Sequence, residues 1–193
     1  MLAPGNGIRA FVALRLSADV ETEIQKFIDS LRPLCHGVRW VPRDNFHLTL
    51  RFLGNRVAAS QLEALVDELA VCARRTEPFL LTVQGLGGFP NLTRPRVIWI
   101  GLHSHPLLEL AAQVRAAAAR SGFTPEDHPY IPHLTIARVR DPKSFGELRS
   151  VLQAARERHF GASTINSAAL YRSVLGASAA TYLELKRWDF HAC

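Results

Sequence analysis

The chain has 193 residues and a net charge of +6, with 48% hydrophobic and 21% charged residues. These values are typical of a soluble globular protein, and the length suffices to bury a full core as a single domain over 1–193. No apolar run is long enough to cross a bilayer, and the first residues lack the features of a signal peptide, so we expect no membrane association.

The basic charge and the cysteine content indicate the partners and the compartment. Lysine and arginine number 23 against 17 aspartate and glutamate residues. This balance favours polyanionic partners such as RNA or nucleotides, although many basic proteins bind neither. The three cysteines, Cys35, Cys72 and Cys193, are odd in number and lack metal-ligand spacing. Free thiols in a reducing cytoplasm are the simplest interpretation.

Strand-like and helical patterns alternate along the N-terminal half of the sequence. Ser17 is the expected N-cap of the first helix, and Gly54 closes the third strand. The predicted strands cover 8–16, 38–41 and 46–53, and the predicted helices cover 17–34 and 58–75.

The C-terminal half continues the same alternation. Hairpin-like connections predict antiparallel sheets, and hence an α+β fold rather than a doubly wound α/β fold. The first helix of this half is expected to end at Gly122. The predicted strands cover 79–86, 97–102, 133–139, 162–172 and 180–188, and the predicted helices cover 106–121 and 143–159.

Two short segments carry most of the functional information, His47-Leu48-Thr49-Leu50 and His133-Leu134-Thr135-Ile136. Each places a histidine and a threonine two positions apart within apolar, strand-like residues. Alternate side chains of a strand share one face, so each His–Thr pair should lie opposite its aliphatic neighbours. Chance would give about 0.4 His-x-Thr pairs in a chain of this composition. The repetition indicates a site built from two matching halves.

Two facing His–Thr pairs can catalyse phosphoryl chemistry without a metal, a cofactor or a covalent nucleophile. One imidazole can take a proton from water while the other donates a proton to the departing sugar oxygen. The threonine hydroxyls can hydrogen-bond the non-bridging phosphate oxygens as negative charge develops on them. An ordinary imidazole pKa of about 6.5 allows one ring to be neutral and the other protonated near pH 7.

Two arginines follow these motifs at different spacings. Arg51 continues the phase of His47 and Thr49, so it is predicted to face the groove, with a solvent-facing position as the alternative. Strict alternation places Arg138 on the apolar face. It reaches the phosphate only if the strand is irregular or its side chain passes around an edge.

Other candidate motifs favour structural roles. His103-Ser104-His105 has a metal-like spacing but lies in an expected turn. The glycine-rich 85–88 segment lacks the Gly-Lys-Ser/Thr of a phosphate-binding loop, and serine hydrolase motifs are absent from the sequence. Trp40, Tyr130 and Phe11 can stack on a base, although core packing is the commoner role for such residues.

Taken together, these segments resemble the two-histidine (2H) phosphoesterase superfamily, and more narrowly the RNA 2′,3′-cyclic phosphodiesterases, historically called 2′-5′ RNA ligases. The similarity covers nearly the whole chain, and the paired His-x-Thr blocks are its most specific part. The corroborating segments are 9–13, 39–42, 45–50, 52–54, 86–90, 95–99, 132–138 and 170–173, with Tyr182 and Trp188.

The resemblance implies a bilobal fold, with antiparallel sheets and outer helices in two pseudo-symmetric lobes around a central cleft. It implies metal-independent opening of 2′,3′-cyclic phosphates to 2′-phosphomonoesters. By motif order, His47 is the expected proton donor and His133 the expected proton acceptor. The same comparison implies that Thr49, Thr135 and Arg138 bind the phosphate. His128 stands where relatives often carry arginine.

Two alternative functions stay open at this point. The chain can be a non-catalytic module that binds RNA ends, although such a module needs no pair of titratable histidines. It can also be a metal-dependent phosphodiesterase, although neither motif has acidic neighbours that would complete a metal site. The expected partners are RNA ends or small cyclic nucleotides, and the expected oligomeric state is a monomer.

Overall fold

A computed structural model describes residues 7–34, 37–141, 146–176 and 180–191. Within these ranges the chain forms nine strands and four α-helices, with short 3₁₀ turns at Arg32–Leu34 and Arg43–Asn45. The strands are β1 Ile8–Leu14, β2 Val38–Trp40, β3 Leu48–Val57, β4 Phe79–Phe89, β5 Val97–His103, β6 His133–Val139, β7 His159–Ile165, β8 Ser167–Leu175 and β9 Ala180–Asp189. The helices are α1 Ala18–Leu31, α2 Ala59–Arg74, α3 His105–Arg120 and α4 Gly146–Ala154.

All strand pairs are antiparallel, in the order β7-β4-β5-β6-β3-β1-β8-β9, with β2 added alongside β6. The order divides the sheet into two halves that meet between β3 and β6, where Leu48 pairs with Leu134. These are the two strands that carry the His-x-Thr motifs. The predicted α+β class and two-lobed arrangement are confirmed, and the two sheets are continuous through this contact.

The crossover helices tie the two halves together. Helix α1 follows β1 but packs against β7, and α3 follows β5 but packs against β3, so each helix contacts the opposite half. Helix α3 ends as predicted at Gly122, whose φ is +81°. The Phe123 N–H donates to the Ala118 carbonyl and the Gly122 N–H to the Ala119 carbonyl, which satisfies the last turn of the helix.

Four predicted elements differ from the structure. Gly54 does not close the third strand, because β3 continues to Val57, which pairs with Ile8 of β1. The helix predicted to reach residue 159 ends at Ala154, because His159 already begins strand β7. The single strand predicted over 162–172 is divided between β7 and β8. Strand β4 continues through the glycine-rich segment to Phe89, because this segment pairs with β5. Gly87 lies directly under the Trp99 ring, where a Cβ would be only 2.0 Å from the ring.

Two further predictions concern the cysteines and the membrane. Cys72 is a buried free thiol, whereas Cys35 and Cys193 lie outside the described residues. No helix in the described part of the chain combines the length and apolar character needed to span a bilayer.

Candidate active site

The two His-x-Thr motifs converge on one cleft. His47 immediately precedes β3, and His133 is the first residue of β6. His47, Thr49, His133 and Thr135 line a single cavity of about 300 Å³, together with Arg138. The structure therefore brings together the five residues expected to transfer protons or to bind the phosphate.

Both imidazoles are fixed by the same backbone contact. Nδ1 of His47 lies 2.7 Å from the carbonyl oxygen of Asn45, and Nδ1 of His133 lies 2.7 Å from that of Ile131. A carbonyl oxygen only accepts, so Nδ1 carries the proton in each ring. In the neutral form, each Nε2 then has a free lone pair for a reacting group.

His47 is the more enclosed of the two rings. Its centroid lies 4.9 Å from the ring of Phe11 and 4.9 Å from that of Tyr182. Burial lowers the pKa of His47 from its ordinary value of 6.5 to about 4, because the apolar surroundings disfavour the charged form. The nearby charges of Arg15, His133 and Arg138 act in the same direction, and the backbone bond opposes them.

His133 also has two aromatic neighbours, but one of them is more distant. The Phe89 ring meets it edge to face at 5.0 Å, and Trp99 lies 6.2 Å away. Burial also lowers the pKa of this imidazole, Arg138 lowers it further, and the bond to the Ile131 carbonyl raises it. In the ligand-free protein both histidines therefore favour the neutral form near pH 7.

A β-bulge after each threonine determines which further side chains line the cleft. The ladder between β1 and β3 skips one residue after Thr49, and the ladder between β5 and β6 skips one after Thr135. The extra residue turns the third position after each threonine back toward the cleft. That position is Phe52 in one half and Arg138 in the other, and both line the cavity. Strand irregularity is thus what brings Arg138 to the site.

The same bulge removes Arg51 from the cleft, so both positions considered for it were wrong. Its side chain is only 6% exposed. One guanidinium nitrogen lies 2.6 Å from a carboxylate oxygen of Glu126, and another donates to the Thr124 carbonyl. Glu126 also pairs with Arg115 at 3.4 Å. Arg51 therefore anchors the segment before β6 rather than binding a ligand in the cleft.

The histidines of the metal-like motif take structural positions. Nε2 of His103 lies 3.2 Å from the Gln84 carbonyl oxygen, and His105 faces Glu109 at 3.6 Å on the surface. No cluster of three or more metal-ligating side chains occurs among the described residues. Phe11 is buried between Tyr171 and Tyr182, and its ring lines the cleft next to His47.

Two cavities flank the cleft and share no lining residue with each other. An apolar one of about 460 Å³ includes Phe52, Tyr130 and Ile131, and the Tyr130 hydroxyl donates to the Thr49 carbonyl at 3.2 Å. A polar one of about 360 Å³ includes Arg39 and Trp40. The sequence analysis did not identify Phe52 as a residue that lines the cleft. The only indication in the sequence is that Phe52 follows Thr49 at the same spacing at which Arg138 follows Thr135.

The fold and the paired cleft define the class of protein. The family model of the 2′-5′ RNA ligase superfamily matches residues 20–177. The chain belongs to this superfamily, and the resemblance inferred from the sequence is confirmed.

Individual relatives point to one activity within this superfamily. RNA 2′,3′-cyclic phosphodiesterase of Aquifex aeolicus is 33% identical over 173 residues, covering 87% of this chain and 89% of the relative. The protein of that name from Escherichia coli is 31% identical over 182 residues, covering 93% and 95%.

Solved structures agree with these relatives. E. coli LigT complexed with 3′-AMP superposes with a TM-score of 0.77 at 29% identity, covering 96% of this chain and 99% of that one. TT0787 of Thermus thermophilus gives 0.79 at 29% identity, covering 95% and 98%.

Proposed function

We propose that this protein hydrolyses the 2′,3′-cyclic phosphate of RNA ends or of related nucleotides to a 2′-phosphomonoester, without a metal ion. The observation that carries the proposal is the pair of His–Thr motifs on adjacent strands, lining one cleft with both imidazoles held by equivalent backbone bonds. The relatives named RNA 2′,3′-cyclic phosphodiesterase support the choice of reaction.

In the proposed reaction, water attacks phosphorus and the bond between phosphorus and the 3′ oxygen breaks. Nε2 of His133 takes the proton from water, and Nε2 of His47 gives its proton to the departing 3′ oxygen. Thr49 and Thr135 donate hydrogen bonds to the non-bridging oxygens, where Arg138 supplies positive charge. After the reaction the proton sits on the opposite histidine, and exchange with solvent restores the starting state.

The surroundings of the histidines support this division of roles. His133 is the more exposed of the two imidazoles and is therefore easier for water to reach, whereas the rings of Phe11 and Tyr182 enclose His47 and limit competing solvent. A lowered pKa makes protonated His47 a stronger acid than an ordinary imidazolium. The bound phosphate anion favours the charged ring, so it raises the pKa toward the working pH.

The flanking apolar cavity suits the nucleobase, because its aromatic and aliphatic wall can stack on any base without reading its edge. Reverse ligation that forms a 2′-5′ linkage is allowed by microscopic reversibility. Hydrolysis dominates in water at about 55 M, so we treat ligation as a side activity. We propose that the enzyme acts as a monomer in the cytoplasm.

The test is incubation with 2′,3′-cyclic AMP in EDTA, followed by chromatographic separation of the products. We expect 2′-AMP as the exclusive product, with the same rate as in untreated enzyme. Formation of 3′-AMP, or loss of activity in the chelator, contradicts the mechanism. No turnover on this substrate and on an RNA ending in a cyclic phosphate would favour the binding module instead.

A further inference from the structure

The polar cavity beside the cleft has the lining of an anion site. Arg9, Arg39 and Arg138 all line it, and none of the ion pairs among the described residues includes any of them. Arg9 instead lies over the Phe52 ring at 4.4 Å and donates to the Asn55 side chain. Three arginine side chains therefore line one cavity without a partner carboxylate in the part of the chain that the structure describes.

The register of β2 against β6 makes this arrangement costly. Arg39 and Arg138 are Cα partners in that antiparallel ladder. Like charges directly opposite each other on a sheet are destabilising. An anion bound between them would relieve that repulsion, and guanidinium forks match the geometry of phosphate oxygens.

This cavity is continuous with the catalytic cleft. The two share Arg9, Val41, Arg138, Ser173 and Tyr182 along their common wall. Burial raises the pKa of the Tyr182 hydroxyl, while Arg138, Arg9 and Arg39 all lower it, which agrees with three cations near this tyrosine. Arg39 lines only the outer cavity, so it distinguishes this site from the cleft.

From this placement we infer that the cavity with Arg39 binds a second phosphate of the substrate, namely the 5′ phosphate on the nucleoside that carries the cyclic phosphate. The inference rests on the proposed function for its substrate class. Only one ribose separates these two phosphates, which fits two adjoining cavities with a shared wall. The same chemistry occurs at the end of an RNA chain and in a small nucleotide phosphorylated at both positions.

The first experiment measures binding without turnover, by calorimetry at about 0.05 M salt, where charge interactions are weakly screened. The ligands are adenosine 2′-monophosphate and adenosine 2′,5′-bisphosphate. We expect the bisphosphate to bind wild-type protein about tenfold more tightly, as for one charge-assisted contact. We expect Arg39→Gln to lose most of this gain and Arg39→Lys to keep part of it.

Arg140→Gln is the matched control, because Arg140 is an exposed arginine outside the cavity. It should retain the full gain. Arg39→Gln should melt at the same temperature as wild type or higher, since it removes a repulsion. Equal binding of the two ligands to wild type overturns the inference, as does a gain that survives in Arg39→Gln or is lost equally in Arg140→Gln.

A second experiment distinguishes the two sources of the phosphate and separates this inference from the proposed function. It compares kcat/KM for 2′,3′-cyclic AMP, its 5′-phosphorylated form, and the dinucleotide ApA ending in a 2′,3′-cyclic phosphate. A higher kcat/KM than that of 2′,3′-cyclic AMP for both the 5′-phosphorylated mononucleotide and the dinucleotide indicates an RNA end. A higher kcat/KM for the 5′-phosphorylated mononucleotide alone indicates a small nucleotide. No gain for either substrate in an active enzyme contradicts the inference. If no substrate is hydrolysed, the proposed function fails, while the binding comparison still tests the cavity.

Discussion

The half of the site around His47 and the half around His133 share a motif but differ in their surroundings. Each imidazole is held by the carbonyl two residues earlier, and each strand bulges after its threonine. At the third position after the threonine, one half has Phe52 and the other has Arg138. Aromatic rings lie beside both imidazoles, but His47 is the more enclosed ring, whereas the strand of His133 adds a cation to the cleft. The same backbone geometry can therefore give two histidines different chemical roles.

The largest effect should come from removing either imidazole. We expect His47→Ala and His133→Ala each to lower kcat by about 10²–10⁴-fold, because each deletes one proton-transfer step. The double variant should lose little more than the worse single variant, since the pair acts as a unit. Steady-state kinetics on 2′,3′-cyclic AMP measure this.

The control for the histidine variants is His105→Ala, which removes an exposed imidazole that does not line the cleft. It should retain wild-type activity. Melting curves establish that the variants are folded. Wild-type rates in both His47→Ala and His133→Ala would show that the cleft does not perform the reaction.

A smaller loss is expected from Arg138→Gln, which removes the cation at the third position after Thr135. Loss of one charge-assisted contact to phosphate should lower kcat/KM by about 10–100-fold. The pKa of both His47 and His133 should rise, because Arg138 lowers both in the wild type. Imidazole titration by NMR measures the shifts, and unchanged values would place the guanidinium farther from the rings.

The threonine hydroxyls should contribute less than the arginine. Thr49→Val and Thr135→Val keep the side-chain shape and each remove one neutral donor to phosphate. We expect a drop in kcat of about three- to tenfold for each. Thr49→Ser and Thr135→Ser retain the hydroxyl and should recover most of the rate. A valine variant as active as its serine counterpart would rule out the proposed contact.

The smallest effect is a difference between two pH profiles. The pKa of each histidine is lowered below 6.5 in the free protein. The profile of kcat/KM reports the free enzyme, so its maximum should lie below about pH 6.5. The bound anion stabilises both protonated rings, which moves the profile of kcat to higher pH. Coincident profiles would mean that the phosphate does not lie between the imidazoles.

Much of this site could be predicted from the sequence, because His47, Thr49, His133 and Thr135 follow simple strand alternation. Alternation fails after the bulges, and those depend on pairing with β1 and β5 rather than on local sequence. For this reason the burial of Arg51 and the position of Phe52 were not foreseen.

The helices and strands show the same contrast. Elements that the local sequence determines were predicted, and an element that depends on long-range pairing was not. Long amphipathic helices and the motif strands were predicted within a few residues of their observed ends. Strand β7, over His159–Ile165, contains Gly161 and small polar residues, and its pairing with β4 is what makes it a strand. Its first residue was therefore assigned to the preceding helix.

The division of labour between the two histidines is the central claim, and a substrate with a sulfur atom at the 3′ bridging position tests it most directly. A thiolate leaves without a proton, so the general acid becomes dispensable while the general base does not. We expect His47→Ala to recover most of the wild-type rate on this 2′,3′-cyclic analogue, whereas His133→Ala stays impaired. Equal recovery of both variants, or recovery of His133→Ala alone, would contradict the assignment.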